Sequence, residues 1–334
     1  MYSKNNKSRC PMACVFLVGV LSLSLLWLAG CSSRPSAPPQ QLEQRADYFE
    51  EVITNQAGLQ LFARTWEPQG SAKANVVILH GTSLHGGVYA DPARYLSAHG
   101  YRVFAFDMQS WGHSQGLKGC GYVADFDDYG QDLKQVLQLL RQRYPDVKNY
   151  VMGESLGGTV AMYGSVRFEF LLDGVITSGV GYKPSLKVMG VRAPEFVNDI
   201  TMSSVKWFWS GFGSVPAVES DTGLRMAVED QQLQDRLMSD PEVCHDWLPG
   251  AYLSTTLKAI DFIEPRLRHV TVPVLLLHGK DDILVPLSSS QEVYDEIDSV
   301  RKRMVVYDSP HAVLLEAKWQ TALQDVVAFL DQVN

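Results

Sequence analysis

The sequence predicts an α/β protein, a mostly parallel sheet with helices on both faces, and three observations carry that prediction. Apolar runs of strand length alternate with helix-period segments along most of the chain. One run, Val76, Val77, Ile78 and Leu79, is apolar at every position, as a strand buried on both faces would be. Leu133, Val136, Leu137 and Leu140 recur at i, i+3, i+4 and i+7 within 125–143, the stripe of an amphipathic helix.

The first element in chain order is not part of that fold. Lys4, Lys7 and Arg9 precede an uncharged apolar run over 13–29, the basic and apolar regions of a secretory signal. The run is marginally short for a span, which wants about 20 residues. Its end, Leu28-Ala29-Gly30-Cys31, resembles the lipobox of bacterial lipoproteins. That resemblance implies cleavage before Cys31, lipidation of its thiol and amine and, with Ser32 next, sorting to the outer membrane of a Gram-negative cell. The competing reading is an uncleaved N-terminal anchor. Residues 1–30 are thus expected as signal peptide and 31–44 as a tether rich in Ser, Pro and Gln. Cleavage would move the net charge from −8 to −8 − 3 = −11. So acidic a body argues against nucleic acid or anionic lipid heads as electrostatic partners.

The rest, 334 − 44 = 290 residues, suffices for one large domain with an insertion. Strands are expected at 50–54, 58–66, Asn75–Leu79, 101–106, 150–152, Gly174–Ser178, 273–278 and 303–308. A helix is expected over 125–143 with Asp125 as N-cap, and a final one presents Leu323, Val326, Val327 and Leu330. Between about 182 and 270 the strand–helix rhythm is lost. Of five cysteines, Cys120 and Cys244 remain in the body. Two buried thiols are expected there, with a bridge as the alternative in an oxidising compartment.

The chemistry gathers at strand ends, where open α/β sheets bind ligands. Gly153-Glu154-Ser155-Leu156-Gly157 fits G-x-S-x-G on a strand-to-helix turn, with the Leu156 N–H aimed at a developing oxyanion. His80-Gly81-Thr82-Ser83 follows the apolar strand and offers the Thr82 N–H as a second donor, with His80 bracing the loop. Past the strand at 273–278 come Asp281 and Asp282, either able to orient an imidazole. His311 lies just past the strand at 303–308. Each residue alone admits a bland reading, a solvated serine or a surface histidine, but the order Ser…Asp…His at successive strand ends favours a nucleophile, an acid and a base. The remaining histidines follow no metal-ligand spacing, and neither a phosphate loop nor a dinucleotide fingerprint is present.

From about Tyr48 onward these residues resemble the α/β-hydrolase superfamily, in the branch of monoacylglycerol lipases and bacterial lysophospholipases. Residues 107–116 are similar to that branch's D-x-x-G-x-G-x-S-x-G loop, except that Ser110 replaces the first inner glycine, so a differently built turn is expected. Asp125-Phe126-Asp127-Asp128-Tyr129, Ser239-Asp240-Pro241 and the pair His311 and Glu316 also resemble the branch. Its G-x-x-D pattern falls on 279–282 and selects Asp282 over Asp281. The resemblance implies Ser155 as nucleophile, Asp282 as orienting acid and His311 as base. It implies Thr82 and Leu156 as oxyanion donors, and neither metal nor cofactor. It divides the body into a core at 45–182 and 270–334 and a helical cap at 183–269. Met202, Trp207, Trp209, Phe212, Met226, Met238 and Trp247 belong to that cap, and Trp207–Trp209 are expected to pack it on the core. The expected function is a serine hydrolase cleaving esters of single-chain acyl lipids, lysophospholipid or monoacylglycerol, at the bacterial envelope through a lipidated Cys31. A broad carboxylesterase or acyltransferase would carry the same three residues. A non-catalytic lipid-binding lipoprotein is disfavoured because all three and both flanking glycines are present.

Overall fold

The computed structural model describes Leu42, residues 44–181, 187–188, 191–192 and 195–334, with side chains outside 187–202. The expected signal peptide, Cys31 and nearly all of the tether lie outside the described residues, as does the side chain of Met202. The chain lays down β1 (Phe49–Thr54), β2 (Gln60–Trp66), β3 (Asn75–Leu79), α1 (Ala90–Ala98) and β4 (Arg102–Phe106). Next come α2 (Asp127–Arg143), β5 (Asn149–Glu154), α3 (Leu156–Phe168) and β6 (Gly174–Ser178). An insertion follows, with β7 (Lys187–Val188), β8 (Val191–Arg192), α4 (Glu195–Gly211), β9 (Pro216–Glu219), α5 (Ser220–Ala227), α6 (Gln231–Ser239), β10 (Trp247–Pro249) and α7 (Gly250–Ile263). The chain then returns to the sheet through β11 (Val274–Gly279), α8 (Leu287–Glu296), β12 (Lys302–Tyr307) and α9 (Trp319–Val333).

The central sheet runs β1-β2-β4-β3-β5-β6-β11-β12. β2 is antiparallel to both β1 and β4, and every other neighbouring pair is parallel. The order reverses at β3, which sits between β4 and β5, so the crevice beyond these strand ends is where a ligand belongs. The all-apolar sequence of β3 follows from its place. Val77 and Leu79 join the layer of α2 and α3, beside Leu133, Val136 and Val160. Val76 and Ile78 join the layer of α1 and α9, beside Leu96, Leu323 and Val326. Each such side chain, fully buried, contributes about 1.5–3 kcal/mol.

One expectation holds and one needs correction. Ahead of α2 the Asp125 carboxylate accepts the Asp127 N–H at 2.9 Å and Asp128 Oδ2 accepts the Asp125 N–H at 3.2 Å, the reciprocal pattern of a capping box, with the backbone of Phe126 already helical between them. Cys120 and Cys244 are joined in a disulfide across 124 residues of chain, with Cα atoms 6.3 Å apart. Fold topology brought them together, which spacing alone does not show.

By the chain-entropy argument a bridge of that span restrains the unfolded state by about 4–5 kcal/mol. Replacing Cys120 and Cys244 together by serine should therefore lower the urea midpoint by an amount equivalent to about 3–5 kcal/mol. Reductant should lower the wild-type midpoint in parallel and leave the variant unmoved.

Candidate active site

Ser155 joins β5 to α3 with φ 54° and ψ −115°, a backbone conformation that costs about 1–3 kcal/mol and persists only where its surroundings enforce it. Here they do. The Ser155 N–H donates to the Ser178 carbonyl at 2.8 Å, and the Thr159 N–H donates to the Ser155 carbonyl at 3.0 Å. The flanking glycines are demanded by space, since a Cβ on Gly153 would overlap the Gly157 carbonyl and one on Gly157 would overlap that of Leu79.

His311 is buried on the loop after β12, and its Nδ1–H donates to Asp282 Oδ2 at 2.6 Å. The other Asp282 oxygen accepts the N–H groups of Leu284 and Val285, each at 2.8 Å, so the carboxylate is fixed before it meets the ring. His278 backs it, with Nε2 3.5 Å from Asp282 Oδ2 and 3.2 Å from the Val285 carbonyl, while Nδ1 meets Ser290 Oγ at 2.7 Å. Asp281 is instead on the surface beside Lys280. With Nδ1 committed to Asp282, His311 keeps Nε2 as a buried acceptor with no partner among the described residues. Ser155 and His311 line one cavity of about 480 Å³. Its core side adds Thr82 and Leu156, and its insertion side is apolar, with Val218, Leu224, Leu248 and Ile260.

The loop after β3 is set by His80, which is wholly buried. The Met108 N–H donates to Nε2 at 3.0 Å, so Nδ1 carries the proton and donates to the Gly81 carbonyl at 2.8 Å. In a trans peptide the C=O and the following N–H point opposite ways. Anchoring the Gly81 carbonyl therefore sets the direction of the Thr82 N–H, and the Thr82 hydroxyl meets Tyr252 of α7 at 2.7 Å. Burial holds the His80 imidazole down at about 4.

Beside this loop the insertion is clamped to the core. Arg64 bridges Asp107 at 3.0 Å and Glu242 at 2.8 Å, His113 meets Glu242 at 3.1 Å, and His85 meets Asp240 at 3.1 Å. Burial alone would raise Glu242, but the hydrogen bond from His113 and the charges of His85 and Arg64 hold it near 2. His85, Asp107 and Glu242 bring metal-ligand types within 4.8 Å of one another, and the Arg64 guanidinium is ion-paired with both of the acids. The cluster clamps the insertion to the core through these ion pairs.

Other expectations are met differently. Ser110, where the resemblance expects glycine, has a left-handed backbone, φ 69°, with its hydroxyl donating to the Tyr122 carbonyl at 2.6 Å. Trp207 and Phe208 do not pack on the core. They are 80% and 46% exposed, and only Trp209 turns inward, against Gly250. Sequence reasoning passed over Tyr89, Glu154 and Tyr252, which border the loops named above. Of these only Glu154 left a signal, an acid closing an apolar strand and directly before the nucleophile candidate.

The Hydrolase_4 family model, described as serine aminopeptidase S33, matches residues 70–318. Monoglyceride lipase of Rattus norvegicus is 26% identical over 286 residues, covering 84% of this chain and 88% of that protein. Monoacylglycerol lipase of Mycolicibacterium smegmatis is 23% identical over 282 residues, covering 84% and 96%. Among solved structures, a soluble variant of the Saccharomyces cerevisiae monoglyceride lipase superposes with TM-score 0.72 at 18% identity, covering 89% of this chain and all of that one. The Paleococcus ferrophilus monoacylglycerol lipase gives TM-score 0.69 at 20% identity over 82% and 99%. The fold of this chain is thus an α/β-hydrolase fold.

Between pH 6.5 and 4 the unfolded chain protonates His80 while the folded chain does not, so stability falls on acidification across that window, by roughly 3 kcal/mol in all. Against a His80→Gln variant, in which every other titrating group is shared, the wild type should lose about that much relative unfolding free energy from pH 7 to pH 4. Parallel pH profiles in urea titrations would refute the neutral buried imidazole.

Proposed function

The chain belongs to the Hydrolase_4 family of serine aminopeptidase S33 type, and on that premise we propose that it is a lipase cleaving carboxylic esters of single-chain acyl lipids. One observation carries the reading. His311 and Ser155 line one cavity, and His311 keeps a buried Nε2 with no partner among the described residues while Asp282 fixes its other nitrogen. In this reading Ser155 attacks the ester carbonyl, His311 takes its proton through Nε2, and Asp282 stabilises the imidazolium. The N–H groups of Thr82 and Leu156 receive the oxyanion, each such donor supplying about 3 kcal/mol of barrier reduction. His311 then passes the proton to the leaving alcohol and activates the water that releases the fatty acid.

Residues 183–269 act as the cap, and its aliphatic side chains offer the acyl chain an apolar wall. The relatives named as monoacylglycerol lipases support that substrate class. A headgroup as small as glycerol and one as large as a lysophospholipid's are both compatible with it. The reading places the enzyme at the cell envelope, tethered through a lipidated Cys31 with the outer membrane as destination. Among the described residues no helix is long and apolar enough to cross a membrane. Attachment by acyl chains at Cys31 would need none.

Ser155→Ala should lower fatty-acid release from lysophospholipids and monoacylglycerols by about 10³-fold or more while leaving the thermal midpoint near that of wild type. Retention of most activity would remove Ser155 from its role. Mass spectrometry of the mature protein should find residue 31 as an acylated N-terminus, and an intact, unacylated residue 31 would defeat the anchor.

A further inference from the structure

We infer that Glu154 is a positioning residue of the hydrolytic site, a carboxylate that ties the oxyanion loop and the histidine loop to the nucleophile turn. The inference rests on Ser155 being the nucleophile. Glu154 is the last residue of β5, and its side chain is almost wholly buried. The Leu314 N–H, three residues past His311, donates to Oε1 at 2.9 Å, and the Ser178 hydroxyl meets the same oxygen at 3.2 Å. The Tyr89 hydroxyl donates to Oε2 at 2.8 Å and itself accepts the Gly81 N–H at 3.1 Å.

These partners come from four places: the loop carrying His311, the end of β6, the turn before α1, and, through Tyr89, the loop carrying Thr82. All three direct partners donate, so the ionised carboxylate is the form the site accommodates. Burial nevertheless pushes its pKa up, against the hydrogen bonds from Leu314 and Tyr89. A buried carboxylate is an expensive way to fill this position. What an apolar residue would not supply is direction. Gly81 is held at both ends, its N–H by Tyr89 and its carbonyl by His80, and the peptide so gripped carries the Thr82 N–H. Release the carboxylate and the Tyr89 hydroxyl loses its acceptor, freeing one of those two grips.

The test measures how fast a fluorophosphonate probe labels Ser155 in wild type, Glu154→Gln, Tyr89→Phe and the double variant, beside kcat and KM for a p-nitrophenyl ester. Gln keeps the shape but sets an N–H against one of the donors, and Phe removes the hydroxyl alone. Each single change should slow labelling by about tenfold or more and lower kcat, with KM within about twofold, as misplacement of a catalytic donor does. The double variant should be no slower than the slower single, because both changes break the same link. Single variants labelled within about twofold of wild type, or effects that multiply, would overturn the inference. Thermal midpoints record folding, and should Glu154→Gln fail to fold, Tyr89→Phe decides alone. Unlabelled wild type would overturn the nucleophile assignment and the inference with it, whereas equal labelling of all four proteins would overturn the inference only.

Discussion

The site hangs on a backbone contact. α3 begins so close beneath the end of β3 that no side-chain carbon fits at Gly157 against the Leu79 carbonyl. That approach forces Ser155 into its left-handed turn, and the same contact puts the turn beside the loop that leaves β3. The Ser155 turn and the loop that carries Thr82 are neighbours because two parallel strands, β3 and β5, end side by side. The strain at Ser155 is sustained by sheet hydrogen bonds and by the buried aliphatic layers on both faces, which far exceed it.

The acid and the histidine arrive by the same logic from further along the sheet. β11 and β12 pair in parallel, so the loops carrying Asp282 and His311 emerge at one edge and meet at 2.6 Å. Each loop is then fixed by polar groups that sit too deep for water to compete. Asp282 receives two backbone N–H groups of its own loop, and His80 remains neutral because burial forbids it a charge. A site built this way needs little reorganisation as charge develops, which is the condition under which hydrogen-bond donors act most strongly.

Much of this was legible in one sequence, for identifiable reasons. β3 announced itself because burial on both faces removes every polar residue, and its limits at Asn75 and Leu79 match the pattern. Ser155, Asp282 and His311 could be singled out as candidates because the chemistry restricts residue type and the topology restricts order, and the structure joins two of them, His311 to Asp282 at 2.6 Å. What stayed hidden depended on contacts between distant segments. Nothing near Cys120 records that Cys244 will lie opposite it, and nothing near Glu242 records that Arg64 and His113 will surround it. Trp207 misled for the opposite reason, since hydrophobicity suggests burial while its helix turns that face outward. Glu154 was visible as an oddity in an apolar strand, but its role needed the coordinates of Tyr89 and Leu314.

The insertion is more than a cover laid on a finished site. Its segment from Asp240 to Cys244 grips the loop after β3 itself: the Cys244 N–H donates to the Ser83 carbonyl at 2.8 Å, and Ser220 Oγ lies 2.5 Å from both Ser83 Oγ and the Cys244 carbonyl oxygen. Tyr252 adds its contact with Thr82, and the disulfide and the Arg64 cluster hold the same edge from outside. Lifting this edge would break a covalent bond and leave buried charges unpaired, a loss of several kcal/mol before any apolar area is exposed. The edge beside the loop after β3 is therefore a structural part of the cavity that Ser155 and His311 line. The α4 side is tied through partly exposed contacts, Lys206 to Asp261 at 2.6 Å and Lys118 to Ser214 Oγ at 2.6 Å, and presents Trp207, Phe208 and Phe212 to the surroundings. The insertion is asymmetric by construction, cross-linked and ion-paired at a buried edge beside the loop after β3 and apolar on its outer α4 face.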